Sequence, residues 1–247
     1  MSTLDKEEVE KFSRIADEWW SETGKFKPLH KFNPSRIAYI RRKICEMKNL
    51  PADSKEPFKD LKILDVGCGG GLISEPMAKL GANVTGIDAS ERNIAVAKIH
   101  SEKSDLRIDY QQSLVEDFSE KDSGENQGKF DVILALEVIE HVADVEEFVA
   151  NLAKLVKKDG IVFIATINRT AKSFLTAKIG AEYILRWLEP GTHDWKKFLK
   201  PSEIDESASK NDLELKELCG FNYCIFKDEW KEDAKDLGVN YIGIWKR

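Results

Sequence analysis

The chain has 247 residues and a formal net charge of −6, with 33% charged and 42% hydrophobic residues. This composition is ordinary for a globular protein, and the length fits one large domain or two small ones. A net negative charge argues against nucleic-acid binding, because phosphate contacts depend on clustered lysine and arginine. The apolar runs stay well short of the roughly 20 residues that a membrane-spanning helix needs. We therefore expect a globular protein that neither binds nucleic acid nor spans a bilayer.

Two amphipathic segments open the chain, and short apolar segments then alternate with longer amphipathic ones. The opening segments, 6–20 and 34–45, are predicted to be helices. Strands are predicted at 62–66, 83–87, 107–110, 131–136 and 161–167, and helices at 72–80, 90–100 and 145–156. Later segments at 213–219 and 239–245 are predicted strands, and polar stretches at 50–60 and 119–129 are predicted loops.

This alternation of strands and helices predicts an α/β domain. Strands that are connected through helices pair in parallel by right-handed crossovers. Their nearly continuous apolar character indicates that helices cover both faces of the sheet. A final strand is expected to join the sheet antiparallel. We predict one domain over residues 1–247, with a helical cap over residues 1–50.

The sharpest local motif lies where the first predicted strand turns into a helix. Residues 65–71 read DVGCGGG, which places Asp65, Gly67, Gly69 and Gly71 at alternate positions. Glycines let the backbone approach a ligand closely, and a helix N-terminus behind them favours a negative group. Asp88 ends the next strand, where a carboxylate can accept hydrogen bonds from both hydroxyls of a ribose. The motif therefore predicts a site for a nucleoside-containing cofactor.

The spacing of the glycines distinguishes two cofactor classes. A dinucleotide-binding loop, G-x-G-x-x-G, would place its third glycine at position 72, where this chain has Leu72. The order D-x-G-x-G-x-G instead resembles the first motif of class I methyltransferases, which bind S-adenosylmethionine. A dinucleotide enzyme and a glycine turn without a ligand remain the alternatives. A Walker loop is excluded, because no Gly-Lys-Ser/Thr follows.

The resemblance to class I methyltransferases implies a Rossmann-like fold, with a mostly parallel, seven-stranded sheet and helices on both faces. It extends to residues 131–137, which are similar to the fourth-strand motif of these enzymes, so Leu136 is expected beside the cofactor. Ser113 and Leu114 follow the third strand, where the adenine edge is usually contacted. Ordinary loop packing is the alternative for these two residues.

Five further segments resemble the ubiquinone biosynthesis O-methyltransferases, over about residues 12–201. They read FSRIADEWW at 12–20, GKFKPLH at 24–30, NPSRIAYI at 33–40, EVIEH at 137–141 and GTHDWKKF at 191–198. The resemblance implies methylation of a ring hydroxyl on a polyprenylated catechol-like phenol and on demethylubiquinol. The last segment is most similar to the alphaproteobacterial and mitochondrial branch of the family.

The same resemblance gives expectations for the N-terminal residues. Arg36 is expected to contact the cofactor, and a guanidinium can bind a carboxylate with two hydrogen bonds. The alternative is a surface arginine. Trp19 and Trp20 either anchor the core or cover the pocket for the substrate ring.

Glu137, Glu140 and His141 directly follow the fourth predicted strand, at the sheet edge where open α/β folds bind ligands. The resemblance implies that they bind magnesium or another divalent cation, which would lower the pKa of a catechol hydroxyl and orient it. His141 acting as a general base without a metal is one alternative, and residues that merely begin a helix are another. His193 is a second candidate base, unless it only forms a turn.

Residues 168–200 are expected to form an insertion that covers the substrate. A helix over 171–188 would carry its charges on one stripe and apolar side chains opposite, which predicts docking on a membrane surface. Packing of that apolar face on the sheet is the alternative. The first ten residues carry four acids, unlike an import or secretory leader. We therefore expect a bacterial cytoplasmic protein, peripheral on the inner membrane, and otherwise one on the matrix side of the mitochondrial inner membrane.

Two other functions remain open. The chain could methylate another small phenol or a carboxylate, or it could bind S-adenosylmethionine without catalysis as a subunit of a biosynthetic complex. The expected partners are a polyprenylated phenol or quinol, a membrane surface and other ubiquinone biosynthesis proteins.

Overall fold

The computed structural model describes residues 5–121, 125–176, 195–224 and 227–247. Its strands form one sheet and are β1 (Lys62–Val66), β2 (Asn83–Asp88), β3 (Asp109–Gln112), β4 (Phe130–Leu136), β5 (Val156–Ile167), β6 (Glu214–Cys224), β7 (Glu229–Asp233) and β8 (Asn240–Lys246). The order across the sheet is β3-β2-β1-β4-β5-β8-β6-β7. The first five strands pair in parallel, whereas β8 runs antiparallel to β5 and β6. The predicted α/β fold, with a mostly parallel sheet and a late antiparallel strand, is confirmed.

The sheet has eight strands among the described residues, one more than the seven predicted. The additional strand is β7, which pairs antiparallel with β6 at the edge. Its sequence, EWKED, has four charged residues and is exposed at most positions. An exposed strand needs few apolar side chains and shows little apolar alternation. Hydrophobic periodicity therefore does not predict β7.

The helices are α1 (Lys6–Arg14), α2 (Lys27–Lys48), α3 (Ser74–Lys79), α4 (Glu91–Lys103), α5 (Val115–Glu120), α6 (Val145–Leu155), α7 (Ala171–Ser173) and α8 (Pro201–Ser209). The helices predicted at 72–80, 90–100 and 145–156 correspond to α3, α4 and α6. Two helices, α5 and α8, lie in segments for which no helix is predicted, and with six and nine residues they are too short for a clear apolar period. Helix α7 begins where the helix predicted over 171–188 begins, and residues 177–188 lie outside the described residues.

The two N-terminal helices differ from their predictions in length. The helix predicted at 6–20 ends at Arg14, and a single 3₁₀ turn, Ala16–Glu18, follows it. The helix predicted at 34–45 instead begins at Lys27, so that Pro34 lies inside α2. Pro28 occupies the first turn of α2, where proline is best tolerated.

Helices cover both faces of the sheet, so the core has two halves. Successive residues of a strand point to opposite faces. Ile63 accordingly packs in the half that α2 covers, and Leu64 packs in the half beneath α6 and α8. Burial of these apolar faces is the main driving force for the fold. No helix within the described ranges is both long enough and apolar enough to cross a membrane.

Candidate functional site

A cavity opens at the carboxyl ends of β1, β2 and β4. Its base is formed by Gly67, Gly69 and Asp88, and residues of α1 lie across it. In parallel α/β sheets ligands bind at this edge, in the crevice where the strand order reverses, which here lies between β1 and β4. The predicted glycine loop and the predicted catalytic segment therefore lie in one cavity, as expected from the strand order.

Two positions of the glycine loop strongly favour glycine, by their backbone conformation and by the space around them. Gly67 and Gly69 have φ values of +70° and +54°, a region that L side chains rarely adopt. A Cβ atom at Gly67 would also lie 2.6 Å from the side chain of Val138, and one at Gly69 would overlap the ring of Trp19. Gly71 also has a positive φ but faces Tyr110 and does not line the cavity.

Asp88 is held in place by three hydrogen bonds. Its Oδ2 accepts from the backbone N–H of Gly69 at 2.9 Å. Its Oδ1 accepts from the backbone N–H of Ser90 at 2.8 Å and from Nδ2 of Asn93 at 3.1 Å. A carboxylate has about four acceptor positions, so one on Oδ2 remains for a ligand hydroxyl. Burial raises the pKa of Asp88, and these three bonds oppose that shift.

Asp65 lies beneath the loop and does not line the cavity. It is buried, and its Oδ2 accepts a hydrogen bond of 2.6 Å from the hydroxyl of Ser74, the first residue of α3. Burial raises the pKa of Asp65 to about 7, although the bond from Ser74 lowers it. The carboxyl group therefore ties the end of β1 to the start of α3, on the far side of the loop from the cavity.

Of three other residues that were predicted to contact the cofactor, two line the cavity and one does not. Ser113 and Leu114 line the cavity after β3. The backbone N–H of Ser113 donates to the carbonyl of Asp88 at 3.0 Å, which fixes this loop against β2. Leu136, at the end of β4, packs in the core instead and does not line the cavity.

Arg36 is buried in α2 and paired with Glu137. Its exposed fraction is 2%, and its Nη1 donates to Oε1 of Glu137 at 2.9 Å. Its Nε and Nη2 donate to Asn33, one turn earlier in the same helix. Burial lowers the pKa of Arg36, and the nearby carboxylates of Glu137, Glu140 and Asp65 oppose this effect. The sequence alternative of a surface arginine is wrong, and the predicted contact with a cofactor carboxylate stays a prediction.

Glu137 adopts a strained backbone conformation at the end of β4. Its φ is +56°, which is unusual for a residue with a side chain, and its N–H donates to the carbonyl of Ala165 at 2.9 Å. Such strain is often found at functional sites. Burial raises the pKa of its carboxyl group to about 7, and Arg36 opposes this shift. Glu137 lines the cavity with its carboxylate beside the Arg36 guanidinium.

His141 also lines the cavity, and it faces helix α1. Its Nδ1 lies 3.1 Å from Oε2 of Glu8, close enough for an ion pair, and its ring meets the edge of the Phe12 ring at 5.1 Å. Burial lowers the pKa of His141, but Glu8 and Glu140 outweigh it, and the pKa is raised. The same pairing with His141 lowers the pKa of Glu8 to about 2.

The predicted metal ligands do not converge on one point. Glu137 faces Arg36, and His141 faces Glu8. Glu140 is buried, and its Oε2 accepts from the hydroxyl of Thr166 at 2.8 Å, away from the cavity. Within the part of the chain that the structure describes, no group of three histidine, cysteine or acidic residues is arranged to hold a metal ion. These three side chains therefore do not fit a cation site in this conformation.

Two residues that the sequence analysis did not single out belong to the site. Glu8 comes from the N-terminal helix, and Asn93 is the third residue of α4. Asn93 could have been identified, because Ser90 is a typical N-cap residue and the third helical residue after it faces back toward the cap. Glu8 gave no signal, since an acid in a polar helix normally faces solvent. His193, the second candidate base, lies outside the described residues.

Comparisons with known proteins agree with this geometry. A family model for a methyltransferase domain matches residues 36–218. The ubiquinone biosynthesis O-methyltransferase of Bartonella quintana (strain Toulouse) is 53% identical over 246 residues, which cover 100% of this chain and 97% of that protein. The protein of that name in Pelagibacter ubique (strain HTCC1062) is 52% identical over 242 residues, 98% of each chain.

Solved structures resemble the fold at much lower identity. Magnesium protoporphyrin IX methyltransferase from Synechocystis, with bound SAH, has a TM-score of 0.60 and 17% identity, and covers 100% of this chain and 90% of its own. A SAM-dependent methyltransferase from Thermotoga maritima has a TM-score of 0.63 and 15% identity, and the match covers 95% of this chain and 97% of that protein. These likenesses show the class I methyltransferase fold. Together with the two relatives at half identity over nearly the full length, they show that the chain belongs to the ubiquinone biosynthesis O-methyltransferases, a family of SAM-dependent enzymes.

Proposed function

We propose that this chain methylates a ring hydroxyl of a polyprenylated catechol or quinol, with S-adenosylmethionine as the methyl donor. One observation carries the proposal: a single cavity joins the loop at Gly69 and Asp88 to the side chains of Glu137 and His141. The name of the curated relatives supplies the substrate class. A methyl donor at one end of this cavity and a phenolic oxygen beside His141 would meet in its middle.

The loop side of the cavity fits the donor. Asp88 has an acceptor position left for a ribose hydroxyl, and Ser113 and Leu114 form the adjoining wall where an adenine would lie. S-adenosylmethionine supplies a methyl group on a positively charged sulfur. The carboxyl group of Glu137 lies on the β4 side of the cavity, beside the Arg36 guanidinium.

The catechol side of the cavity provides a proton acceptor in His141. If Nδ1 carries the proton and faces Glu8, Nε2 remains free to accept one. The ring hydroxyl then gives its proton to Nε2 while its oxygen bonds to the methyl carbon and the bond between that carbon and sulfur breaks. The products are the methyl ether, a neutral thioether and a protonated His141, which releases its proton to water. General base catalysis of this kind contributes about 10²- to 10⁴-fold.

No step of this mechanism runs through a metal ion, because Glu137, Glu140 and His141 are turned toward three different partners. We therefore expect turnover to persist in excess chelator. Loss of turnover in chelator, with recovery in magnesium or zinc, would replace the base mechanism by the metal-assisted one that the sequence suggested.

Membrane docking is a further part of the proposal. The polyprenyl tail of the substrate gains about 0.8 kcal/mol for each CH₂ group buried in lipid, so the substrate stays in the bilayer. Phe174 and Leu175, directly after α7, are 40% and 59% exposed, although large apolar side chains are usually covered. They lie within the predicted docking segment, 171–188, of which residues 177–188 lie outside the described residues. This placement supports docking on the inner membrane, by an enzyme that need not extract the tail.

Flotation with vesicles tests the docking. The chain should rise with vesicles of mixed neutral and anionic lipid, and a Phe174→Glu, Leu175→Glu variant should remain at the bottom of the gradient. Ile99→Glu is the matched control, because Ile99 is 54% exposed on α4, away from that segment. If the wild type does not float, or if the double variant floats equally well, these two residues are not part of a docking surface.

Turnover tests the proposed chemistry. The purified chain should transfer a labelled methyl group from S-adenosylmethionine to a catechol with one short isoprenoid tail, and His141→Ala should lower kcat by about 10²- to 10⁴-fold. Asp88→Asn should weaken cofactor binding, whereas Asp109→Asn, on the exposed start of β3, should not. A chain that binds the cofactor with normal affinity and turns over no catechol would be a non-catalytic subunit.

A further inference from the structure

Two adjacent tryptophans, Trp19 and Trp20, contact the cofactor loop from outside the methyltransferase domain that the family model matches, which begins at residue 36. The indole N–H of Trp20 donates to the carbonyl of Gly70 at 2.9 Å. The ring of Trp20 stacks on the ring of His100, with centroids 3.4 Å apart. The side chain of Trp20 therefore holds the loop directly, through the backbone carbonyl of Gly70.

Trp19 reaches the carboxylate of Asp88 through one intermediate side chain. Its indole N–H donates to Oδ1 of Asn93 at 2.9 Å, and Nδ2 of Asn93 donates to Oδ1 of Asp88 at 3.1 Å. The orientation of the Asn93 amide is fixed by chemistry, because an indole N–H only donates and a carboxylate only accepts. Both Trp19 and Asn93 are buried, so no water competes freely for these bonds.

The glycine loop is shaped around the same indole. A Cβ at Gly69 would overlap the ring of Trp19, and one at Gly70 would lie 2.5 Å from its Cβ and Cγ. The ring of Trp19 also stacks on Phe26, with centroids 3.7 Å apart and planes 10° apart. Trp19 is thus held by contacts with both Phe26 and the loop, which restrict the movement of its N–H away from Asn93.

We propose that Trp19 is a positioning residue, which sets the orientation of the Asp88 carboxylate through Asn93 and so fixes the acceptor that is offered to a ligand ribose. This inference rests on the proposed role of Asp88 in the cofactor site. It makes the segment before the matched domain, which begins at residue 36, part of cofactor recognition, by a hydrogen-bonded relay from Trp19 through Asn93 to Asp88. Without the indole donor, the Asn93 amide can rotate, and the Asp88 carboxylate is then oriented by only the backbone N–H groups of Gly69 and Ser90.

The test compares ligands with and without a ribose hydroxyl. Calorimetry measures the dissociation constants of S-adenosylhomocysteine and of its 2′-deoxy and 3′-deoxy analogues, and their ratio gives the preference for ribose. Trp19→Phe keeps an aromatic ring and removes the N–H. Loss of one ordinary hydrogen bond changes an equilibrium by about three- to tenfold, so the ribose preference should fall by that factor. A merely structural weakening would affect the ribose and deoxyribose ligands equally and would overturn the proposal.

Three further variants separate the explanations. Trp230→Phe is the matched control: within the described residues its indole N–H has no hydrogen-bond partner, and it lies on β7, so both affinities should stay unchanged. In a double variant that combines Asp88→Asn with Trp19→Phe, the preference for ribose should equal that of Asp88→Asn alone, because Trp19 is proposed to act through Asp88. If Asp88→Asn itself retains the full ribose preference, the assignment of the cofactor site is wrong. If Asp88→Asn loses the preference while Trp19→Phe keeps it, only the role of Trp19 is wrong.

Discussion

Arg36 and Glu137 form a buried ion pair, with 2.9 Å between Nη1 and Oε1, that joins helix α2 to the end of β4. The exposed fractions of the two side chains are 2% and 20%, so neither charge is well solvated. A buried pair of this kind adds little net stability over apolar residues, but removing one partner leaves the other charge without compensation. The pair therefore constrains the shape of the site more than it stabilises the fold.

The first prediction concerns the stability of this pair. Arg36→Ala should lower the free energy of unfolding by up to about 3–5 kcal/mol, since it leaves the half-buried Glu137 carboxylate without its cation. Glu137→Gln should cost less, because an amide oxygen can still accept from the guanidinium. Urea denaturation of both single variants and of the double variant gives the coupling between them. Additive effects would show that the pair does not act as a unit.

Two strands of the parallel sheet, β1 and β2, could be predicted closely, because buried strands form continuous apolar runs. The predictions at 107–110 and 161–167 cover only part of β3 and β5. The prediction at 62–66 coincides with β1, and 83–87 differs from β2 only in omitting Asp88. The second half of the sheet was less predictable, since β7 is short and charged. Boundaries of α1 and α2 were also missed, because the start of a helix depends on tertiary contacts as much as on caps.

The site residues could be predicted by type and position, but not by the direction of each side chain. Asp65 and Asp88 both lie near the ends of adjacent strands, yet only Asp88 lines the cavity. Neighbouring residues 140 and 141 likewise point in different directions, because the 3₁₀ turn Ile139–His141 rotates successive side chains by about 120°. The spacing of acids and histidine therefore suggested a metal cluster that the geometry does not form.

The second prediction separates two effects at Gly69. Gly69→Ala introduces a side chain at a φ of +54° and forces it against Trp19. Gly128→Ala is the matched control, because Gly128 has a φ of +58° with nothing within 4 Å of the new Cβ. Both should lose the roughly 1–2 kcal/mol that a left-handed backbone costs a residue with a side chain. Only Gly69→Ala should lose more than this and also weaken the binding of S-adenosylhomocysteine. Equal losses in the two variants would mean that Trp19 moves aside freely.

The third prediction concerns the pH dependence of stability that Asp65 produces. Burial raises the pKa of its carboxyl group from 3.8 to about 7. The folded protein therefore holds this proton more tightly than the unfolded chain does, so stability falls as pH rises from 3.8 to about 7. Asp65→Asn cannot ionise, and the fall in its free energy of unfolding between pH 5 and pH 7 should be smaller than in the wild type. Parallel curves for wild type and variant, from urea denaturation at each pH, would contradict the shift.

The last prediction concerns Glu8 and the pH profile of catalysis. The pKa of His141 is raised, because Glu8 and Glu140 outweigh the burial and the opposing charge of Lys11. The pKa of Glu8 is lowered from 4.5 to about 2, mainly by His141, with smaller contributions from Lys11 and Lys197. The ion pair therefore contributes its full stability between pH 4.5 and pH 6.5. That contribution is lost as pH falls through about 2 or rises through the pKa of His141.

Catalysis requires the opposite state of His141, because only a neutral imidazole accepts the phenolic proton. The rate should accordingly rise with pH through the raised pKa of His141. Glu8→Gln removes a cause of that increase, so the rising limb of kcat against pH should move to lower pH. Its plateau should fall about tenfold, the loss expected when one orienting interaction is removed. Glu10→Gln is the matched control on the same helix, since Glu10 is exposed and pairs with Arg14 at 2.6 Å. A limb that stays in place in Glu8→Gln, or that moves equally in Glu10→Gln, would show that another group accepts the proton.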